Sequence, residues 1–409
     1  MLRLVPIAAL LALSACHTTT GARRYSKEQA VRTFTRFEQA GLDIGEFPVD
    51  GANAVVDGDT VKVKGLDASL RLLAIDTEET FKHDWERKLY AQGWEEYLAA
   101  MRGSAPRPVK MATPVGDGAK QWAQAFFNGV TKVKLERDHP GEIRDYYGRY
   151  LAYVFVEKNG EWVNFNLECV RAGWSPYFTK YGRSRRFHAA FVKAQEEARA
   201  QKLHIWSDAE QHYPDYAERL SWWNARGDVV MRFEREAEGR PDQVVLTRWD
   251  ALAQLEQRLG EEVTVLGSVA EIKPRERGPT SVKLARNRKS SFDLVFFDRD
   301  VLLATQLARA RGEFIQVRGV VTRYENKERG ISQLQMEVAL PGQVLVPAYV
   351  MTLKELPPDK PRPPRKQDGR PDGKQDKKQP APTDEDAPPE REAGDVASDR
   401  DNDTVPGAD

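Results

Sequence analysis

Short β-rich runs in this chain fall into two separate blocks, and that separation confines it to two cored units. In the first block, Ala54 to Val63 and Ser69 to Ile75 flank Gly65-Leu66-Asp67 and read as a hairpin. Val130 to Leu135, Tyr150 to Glu157 and Trp162 to Phe165 read as further strands, the last two joined by the turn Lys158-Asn159-Gly160. The second block holds five strands, near Val263–Ile272, Ser281–Ala285, Phe292–Phe297, Phe314–Thr322 and Gln333–Val338, with a helix at Asp300 to Ala310. Five strands with a helix in that slot describe an OB-type barrel. Residues 209–260 read as a helical linker, where Trp222-Trp223 could cap one domain against the next. The length of 409 residues fits two domains of about 150 residues each plus extra segments.

Helices complete the outline. Ser26 with Gln29 forms a capping box ahead of a helix that ends at Gly41. Residues 81–118 hold a helical stretch around Trp85, Leu89, Trp94 and Leu98, then a Pro- and Gly-rich loop. Lys120 to Asn128 reads as a helix, and Phe187, Phe191, Ala194 and Ala198 form one apolar stripe. The fold class expected is α+β, mainly β.

Both ends are of different composition. Arg3 and the apolar run Leu4 to Leu13 lead into Leu13-Ser14-Ala15-Cys16, which matches the box at which bacterial lipoprotein precursors are cleaved and acylated. Residues 1–15 are therefore expected to be a signal peptide, with Cys16 lipidated and residues 16–50 forming a tether and the first helix. His17 after that cysteine, in place of a retaining aspartate, points to the outer membrane, on its periplasmic face or at the cell surface. Acyl chains anchor because each buried methylene contributes about 0.8 kcal/mol. Cys169 is then the one remaining cysteine, so no intrachain disulfide can form, and it reads as a core residue. From residue 351 to 409 proline and charge dominate, and such a segment cannot bury a core and is expected to be disordered. Formal net charge is zero, so an anionic partner must be met by local patches.

Charges interrupt the apolar strands of the first block. Val56-Asp57-Gly58-Asp59-Thr60 is followed by Leu70-Arg71-Leu72-Leu73-Ala74-Ile75-Asp76-Thr77-Glu78-Glu79. An arginine inside such a strand is costly unless paired with a carboxylate or a bound phosphate. The nearby carboxylates make an all-oxygen site suited to Ca²⁺ or Mg²⁺, and no histidine or thiolate is at hand for zinc. A second guanidinium comes in Arg144-Asp145-Tyr146-Tyr147-Gly148-Arg149-Tyr150.

With the closing Lys202-Leu203-His204-Ile205-Trp206-Ser207-Asp208, these motifs make residues 51–208 resemble the staphylococcal nuclease family. The resemblance implies a staphylococcal-nuclease-type OB barrel with helices and a calcium-dependent phosphodiesterase, an endonuclease for DNA and RNA that leaves 3′-phosphate ends. It assigns Asp59, Asp76 and the carbonyl of Thr77 to calcium, Arg71 and Arg149 to the scissile phosphate, Glu79 to the general base, and Tyr147 to a nucleotide phosphate. Glu78 stands where the family commonly has proline, which is expected to add charge and loosen the turn. The stretch 81–118 is longer than in short members of that family, and its Trp-rich helix either shapes the substrate groove or, the favoured reading, packs outside it.

The second unit, residues 261–350, carries its largest cationic excess between Lys273 and Lys289. Lys273, Arg275, Arg277, Lys283, Arg286, Arg288 and Lys289 face one acid there, Glu276. Such a segment suits nucleic-acid contact on a barrel face, although stacking aromatics are sparse, and a solvated basic loop is the alternative. Together with the lipoprotein box, the resemblance implies a lipid-anchored, Ca²⁺-dependent nuclease acting on DNA and RNA, and the chain is expected to be a monomer. A non-catalytic nucleic-acid-binding envelope lipoprotein is the alternative, and no protein partner can be named.

Overall fold

A computed structural model describes residues 26–274, 278–287, 290–354 and 356. Cys16 with its signal segment, the charged tail, and Arg275, Arg277, Arg288 and Lys289 lie outside the described residues.

Helix α1 (Lys27–Gln39) opens on the expected capping box, in which Ser26 accepts from the Gln29 amide and the Gln29 side chain accepts from that of Ser26. It buries Phe37 against Tyr150 and Phe47. Seven strands form the first sheet: β1 (Asp43–Pro48), β2 (Val55–Asp57), β3 (Thr60–Val61), β4 (Leu70–Leu72), β5 (Lys132–Glu136), β6 (Tyr150–Lys158) and β7 (Glu161–Asn164). Their order is β1-β5-β6-β4-β3-β2, with β7 on β6. Strand β4 runs parallel to β6 and places Arg71 opposite Leu151.

The expected hairpin about Gly65 exists as the β3–β4 pair, with Thr60 opposite Arg71, but its strands are only two and three residues long. A second, tighter turn at Gly58-Asp59 separates β2 from β3. The ladder stops because backbone groups are claimed elsewhere. The amide of Lys64 donates to Pro48 and that of Leu73 to Ala152, which frees residues 73–79 to bend into a loop.

Helices α2 (Asp84–Tyr90) and α3 (Trp94–Arg102) replace the single helical stretch expected there, because Gly93 breaks it at φ +148°. Helix α4 (Pro114–Phe127) starts on Thr113, whose hydroxyl accepts the Gly116 amide at 2.9 Å. Helices α5 (Phe165–Arg171) and α6 (His188–Ala200) cover the sheet, and α6 buries Phe191, Ala194 and Ala198. Cys169 is fully buried on α5. The insertion has its own small core, in which Phe81, Tyr97 and Met111 pack with Ile205, Tyr213 and Tyr216.

After α7 (Tyr216–Glu236) the linker departs from a purely helical reading. Strand β8 (Gln243–Val245) pairs in parallel with β9 before the short helix α8 (Ala251–Glu256). Val244 and Val245 bury their branched side chains there, which strands favour. The barrel then comprises β9 (Glu262–Lys273), β10 (Thr280–Asn287), β11 (Ser290–Phe296), helix α9 (Arg299–Ala304), β12 (Phe314–Asn326) and β13 (Ile331–Glu337), with β14 (Val344–Leu345) at the edge. The order β9-β10-β11-β13-β12 returns to β9, and only β11–β13 is parallel within that ring, so this is a closed, OB-like five-stranded barrel.

A buried polar knot joins the two units. Glu313, just before β12, is fully buried and accepts from Arg107 at 2.6 Å, Arg226 at 3.0 Å, Trp222 at 3.1 Å and Tyr349 at 2.8 Å. Burial alone would raise its pKa, but Arg226 and Arg107 hold the carboxyl below its usual range. A carboxylate with four donors is satisfied, and removing any one of them leaves a buried charge underpaired.

Candidate active site

Two turns and one strand create the site. The turn Asp57-Gly58-Asp59 can approach the loop after β4 only because residue 58 lacks a side chain, since a Cβ there would sit 2.7 Å from the Thr77 side chain. The loop itself leaves β4 through Ala74, a non-glycine residue at φ +64°, which turns Ile75 inward and Asp76 toward the site. Gly116 of α4 meets the same loop, where a Cβ would lie 2.0 Å from the Glu79 carbonyl.

Arg71, five per cent exposed, is the centre of the arrangement. One arm of its guanidinium is bound to Asp59 and the other lies 2.5 Å from Asp76. The cost of a strand arginine, noted from sequence, is thus met by two carboxylates. Asp59 also accepts from Thr60 at 2.9 Å, and the Asp76 amide donates to Ser175 Oγ at 2.8 Å. Burial would raise Asp59, but Arg71, Lys110 and Arg149 together hold it below the ordinary carboxylate range. Asp57 behaves oppositely. Its burial and the nearby Glu79 push it up to about 6.

Glu79 stands at the solvent side of the cluster, with its side chain about one-third exposed. Lys82 lies 3.1 Å from it and 3.2 Å from Asp57. Lys110 stands 2.9 Å from Asp76 and 3.8 Å from Glu79. Neither lysine was evident from the sequence. Lys110 lies in the inserted Pro-rich loop, 34 positions from Asp76, and no local pattern announces such a contact.

Arg149 enters from the start of β6, behind Gly148 at φ +95°. Asp145 orients it by accepting the Arg149 amide at 2.9 Å and its Nε at 2.8 Å. Its guanidinium lies 5.6 Å from the centre of the Tyr147 ring. Arg149 also contributes to the electrostatics at Asp59, so both expected arginines act on one carboxylate. Arg144 of the same motif is not part of the site, because it pairs with Asp67 at 2.8 Å and stacks on Tyr150.

Glu78 corrects an expectation. It is one per cent exposed and points away from the site, accepting from Thr113, from the Tyr213 amide at 2.7 Å and from the Tyr216 hydroxyl at 2.8 Å. The turn is thereby tied down where loosening was expected, and no charge is added to the pocket.

A hard cation fits the donor chemistry. Asp59 and Asp76 flank the two arms of the Arg71 guanidinium, both nearly buried and both oxygen donors, and Thr77 follows Asp76 in the same loop. Among the described residues no group of three histidine, cysteine or acidic side chains is close enough to hold a metal alone. Two carboxylates, a carbonyl and solvent would complete such a shell, as suits calcium.

In the second barrel, Lys273 pairs with Glu271 at 3.1 Å and Lys283 with Asp293 at 3.1 Å. Arg286 faces the first domain across a cavity that Arg71 also lines.

Comparisons with known proteins point the same way. The family described as "Staphylococcal nuclease homologue" matches residues 69–208, a range that holds Arg71, Asp76, Thr77, Glu79, Tyr147 and Arg149 and leaves out Asp59. An uncharacterised protein of Methanocaldococcus jannaschii is 30% identical over 155 residues, covering 37% of this chain and 69% of that protein. The SPbeta prophage-derived endonuclease YokF of Bacillus subtilis is 32% identical over 154 residues, 37% of this chain and 42% of its own length. A thermonuclease of Staphylococcus hyicus is 26% identical over 175 residues, 42% of this chain and 83% of its own. The matched stretch thus spans less than half of the Bacillus endonuclease.

Proposed function

The chain belongs to the staphylococcal nuclease family, and on that premise we propose that it is a Ca²⁺-dependent endonuclease that hydrolyses DNA and RNA by attack of water. The observation that carries the reading is the cluster of Arg71, Asp59 and Asp76, to which Glu79 is joined through Lys110 and on which Arg149 acts at Asp59. Phosphodiester hydrolysis builds negative charge on the phosphoryl oxygens, and planar guanidinium groups pair two such oxygens at once. Arg71 and Arg149 hold the phosphate in this account. Each is pre-oriented by carboxylates, Arg71 by Asp59 and Asp76, Arg149 by Asp145. Glu79 takes the proton of the attacking water, and its partial exposure lets that water reach it. Asp59, Asp76 and the Thr77 carbonyl would hold Ca²⁺, which when bound supplies Lewis-acid polarisation of a phosphoryl oxygen. Tyr147, beneath Arg149, is assigned to the neighbouring nucleotide. By family likeness the product ends are 3′-phosphates.

The test is turnover of a fluorogenic dinucleotide by the parent, Arg149→Lys and Glu79→Gln. Each substitution is expected to lower kcat by roughly 10² to 10³, the usual cost of one preorganised transition-state contact, with the melting temperature retained. Near-parental turnover in either variant would remove that residue from the mechanism.

We also propose that Cys16 carries lipid and holds the protein at the cell envelope, on the outer membrane. The apolar run and the Leu-Ser-Ala-Cys box support this, and among the described residues no helix is long and apolar enough to cross a membrane. Cys16→Ala should move the protein from the detergent-soluble membrane fraction to the aqueous one or block its maturation. Unchanged partitioning would contradict the anchor.

A further inference from the structure

Between the nuclease barrel and the second barrel lies a cavity of about 170 Å³. Its nuclease wall presents Tyr146, Tyr147, Phe178 and Tyr181, and its opposite wall presents Arg286 of β10 and Phe314 of β12. A dry cavity of roughly 150 Å³ takes up a single benzene ring, so this space suits one planar ring and is too small for a base pair.

Both phosphate-clamping arginines stand beside aromatic rings of its wall. Arg71 is one of the lining residues and its guanidinium lies 5.6 Å from the Phe178 ring centre, while that of Arg149 lies 5.6 Å from the ring centre of Tyr147, another lining residue. A phosphate held by those arginines therefore has the cavity next to it. Arg286 adds an unmet demand. Its Nε is buried and has no hydrogen-bond partner among the described residues. Buried donors of this kind are normally satisfied, and one on a side chain that lines a cavity can be met by an acceptor received there.

The carboxylates that line the cavity do not oppose this. Asp138 is occupied by Tyr153, Ser184 and the Arg185 amide, and Glu234 by Arg185 and Arg248. Asp145, also in the lining, is engaged by Arg149, and Glu142 is pushed up to about 8 by burial beside Glu234 and Asp138, which keeps it largely protonated at neutral pH.

We propose that the second barrel completes the substrate site, with the inter-domain cavity receiving one unpaired base beside the scissile phosphate and Arg286 donating to an acceptor on that base. The ligand is a base with a carbonyl oxygen or ring nitrogen at its edge, stacked among the tyrosines, and it must leave its own stack to enter. The inference rests on the nuclease reading above and deepens it by giving the second barrel a role in that same site.

The test separates the base from the charge. Binding of a fluorescein-labelled thymidine pentanucleotide to the signal-free chain is measured by anisotropy in chelator, alongside analogues made abasic at one position each. Removing the base at one position should weaken binding about tenfold, and Arg286→Met should cost about tenfold on the full strand yet nothing further on that abasic strand. Tyr146→Leu, a change on the opposite wall, should show the same pattern and guards against a variant that merely misfolds. Equal losses on the full and abasic strands would make Arg286 a general phosphate contact and overturn the proposal, as would no loss in either variant. Cleavage by the parent in Ca²⁺ is read separately. If it occurs while Arg286 is silent, this inference fails and the nuclease reading stands; if the parent cleaves nothing, the nuclease reading fails on its own terms.

Discussion

Glu142 shows how a single side chain near the site is tuned by its surroundings. Burial, with Glu234 and Asp138 beside it, pushes the carboxyl up to about 8, far above the usual value of about 4.3. Since the folded pKa is raised, folding takes up a proton. The stability linked to it is complete below the unfolded pKa and is lost as pH rises through about 8. Glu142→Gln, which stays neutral, should therefore gain on the parent in melting temperature as pH goes from about 4 to about 9. A constant offset across that window would show that Glu142 does not titrate in this way. At this scale the sequence was most informative where motif and site coincide. Asp59, Arg71, Asp76, Glu79 and Arg149 sit in short charged interruptions of apolar strands, so the cost of each charge was visible locally. Lys82 and Lys110 were not visible, because their partners are set by how the insertion folds back and not by their neighbours in sequence.

Elements, by contrast, were legible in kind and less so in extent. Helix α1 carries its start signal in Ser26 and Gln29, and the five strands of the second barrel lie where alternating and β-branched runs place them. Strands β2 to β4 are much shorter than their apolar runs, because the backbone between them is recruited to form the site. Strand β8 escaped notice since three residues carry too little periodicity to stand out from helical flanks. The loop from Thr77 to Thr80 is the element on which the site most depends, and Glu78 is its anchor. Three donors, from Thr113, Tyr213 and Tyr216, converge on that carboxylate. Glu78→Ala leaves all three without their acceptor, and each buried orphan costs about 1 to 3 kcal/mol. The urea midpoint should fall by an amount equivalent to about 2 to 4 kcal/mol, partly offset where water enters. An unchanged midpoint would mean that the loop is held by other contacts.

For the whole molecule, the geometry makes one body of two barrels. Glu313 before β12 binds Arg107 of the insertion and Arg226 of α7, so the second unit is fastened to the two segments that frame the nuclease barrel. Trp222, read from sequence as a cap between domains, does donate to Glu313, but the charged members were not readable, since Arg107, Arg226 and Glu313 stand in unrelated contexts and only the assembled fold brings them together. It places β10 across a cavity from Arg71, which gives the second barrel a route to the chemistry that its own basic segment could not supply through Lys273 and Lys283 alone. The assembled chain is proposed to cleave phosphodiester bonds with the help of a hard cation at Asp59 and Asp76. The most direct measurement is digestion of supercoiled plasmid and of single-stranded RNA by the chain from residue 21 onward, with Ca²⁺ in one series and excess chelator in the other. Cleavage of both polymers in Ca²⁺ and none in chelator is the predicted result, and undiminished cleavage in chelator, or no cleavage in either series, would contradict it.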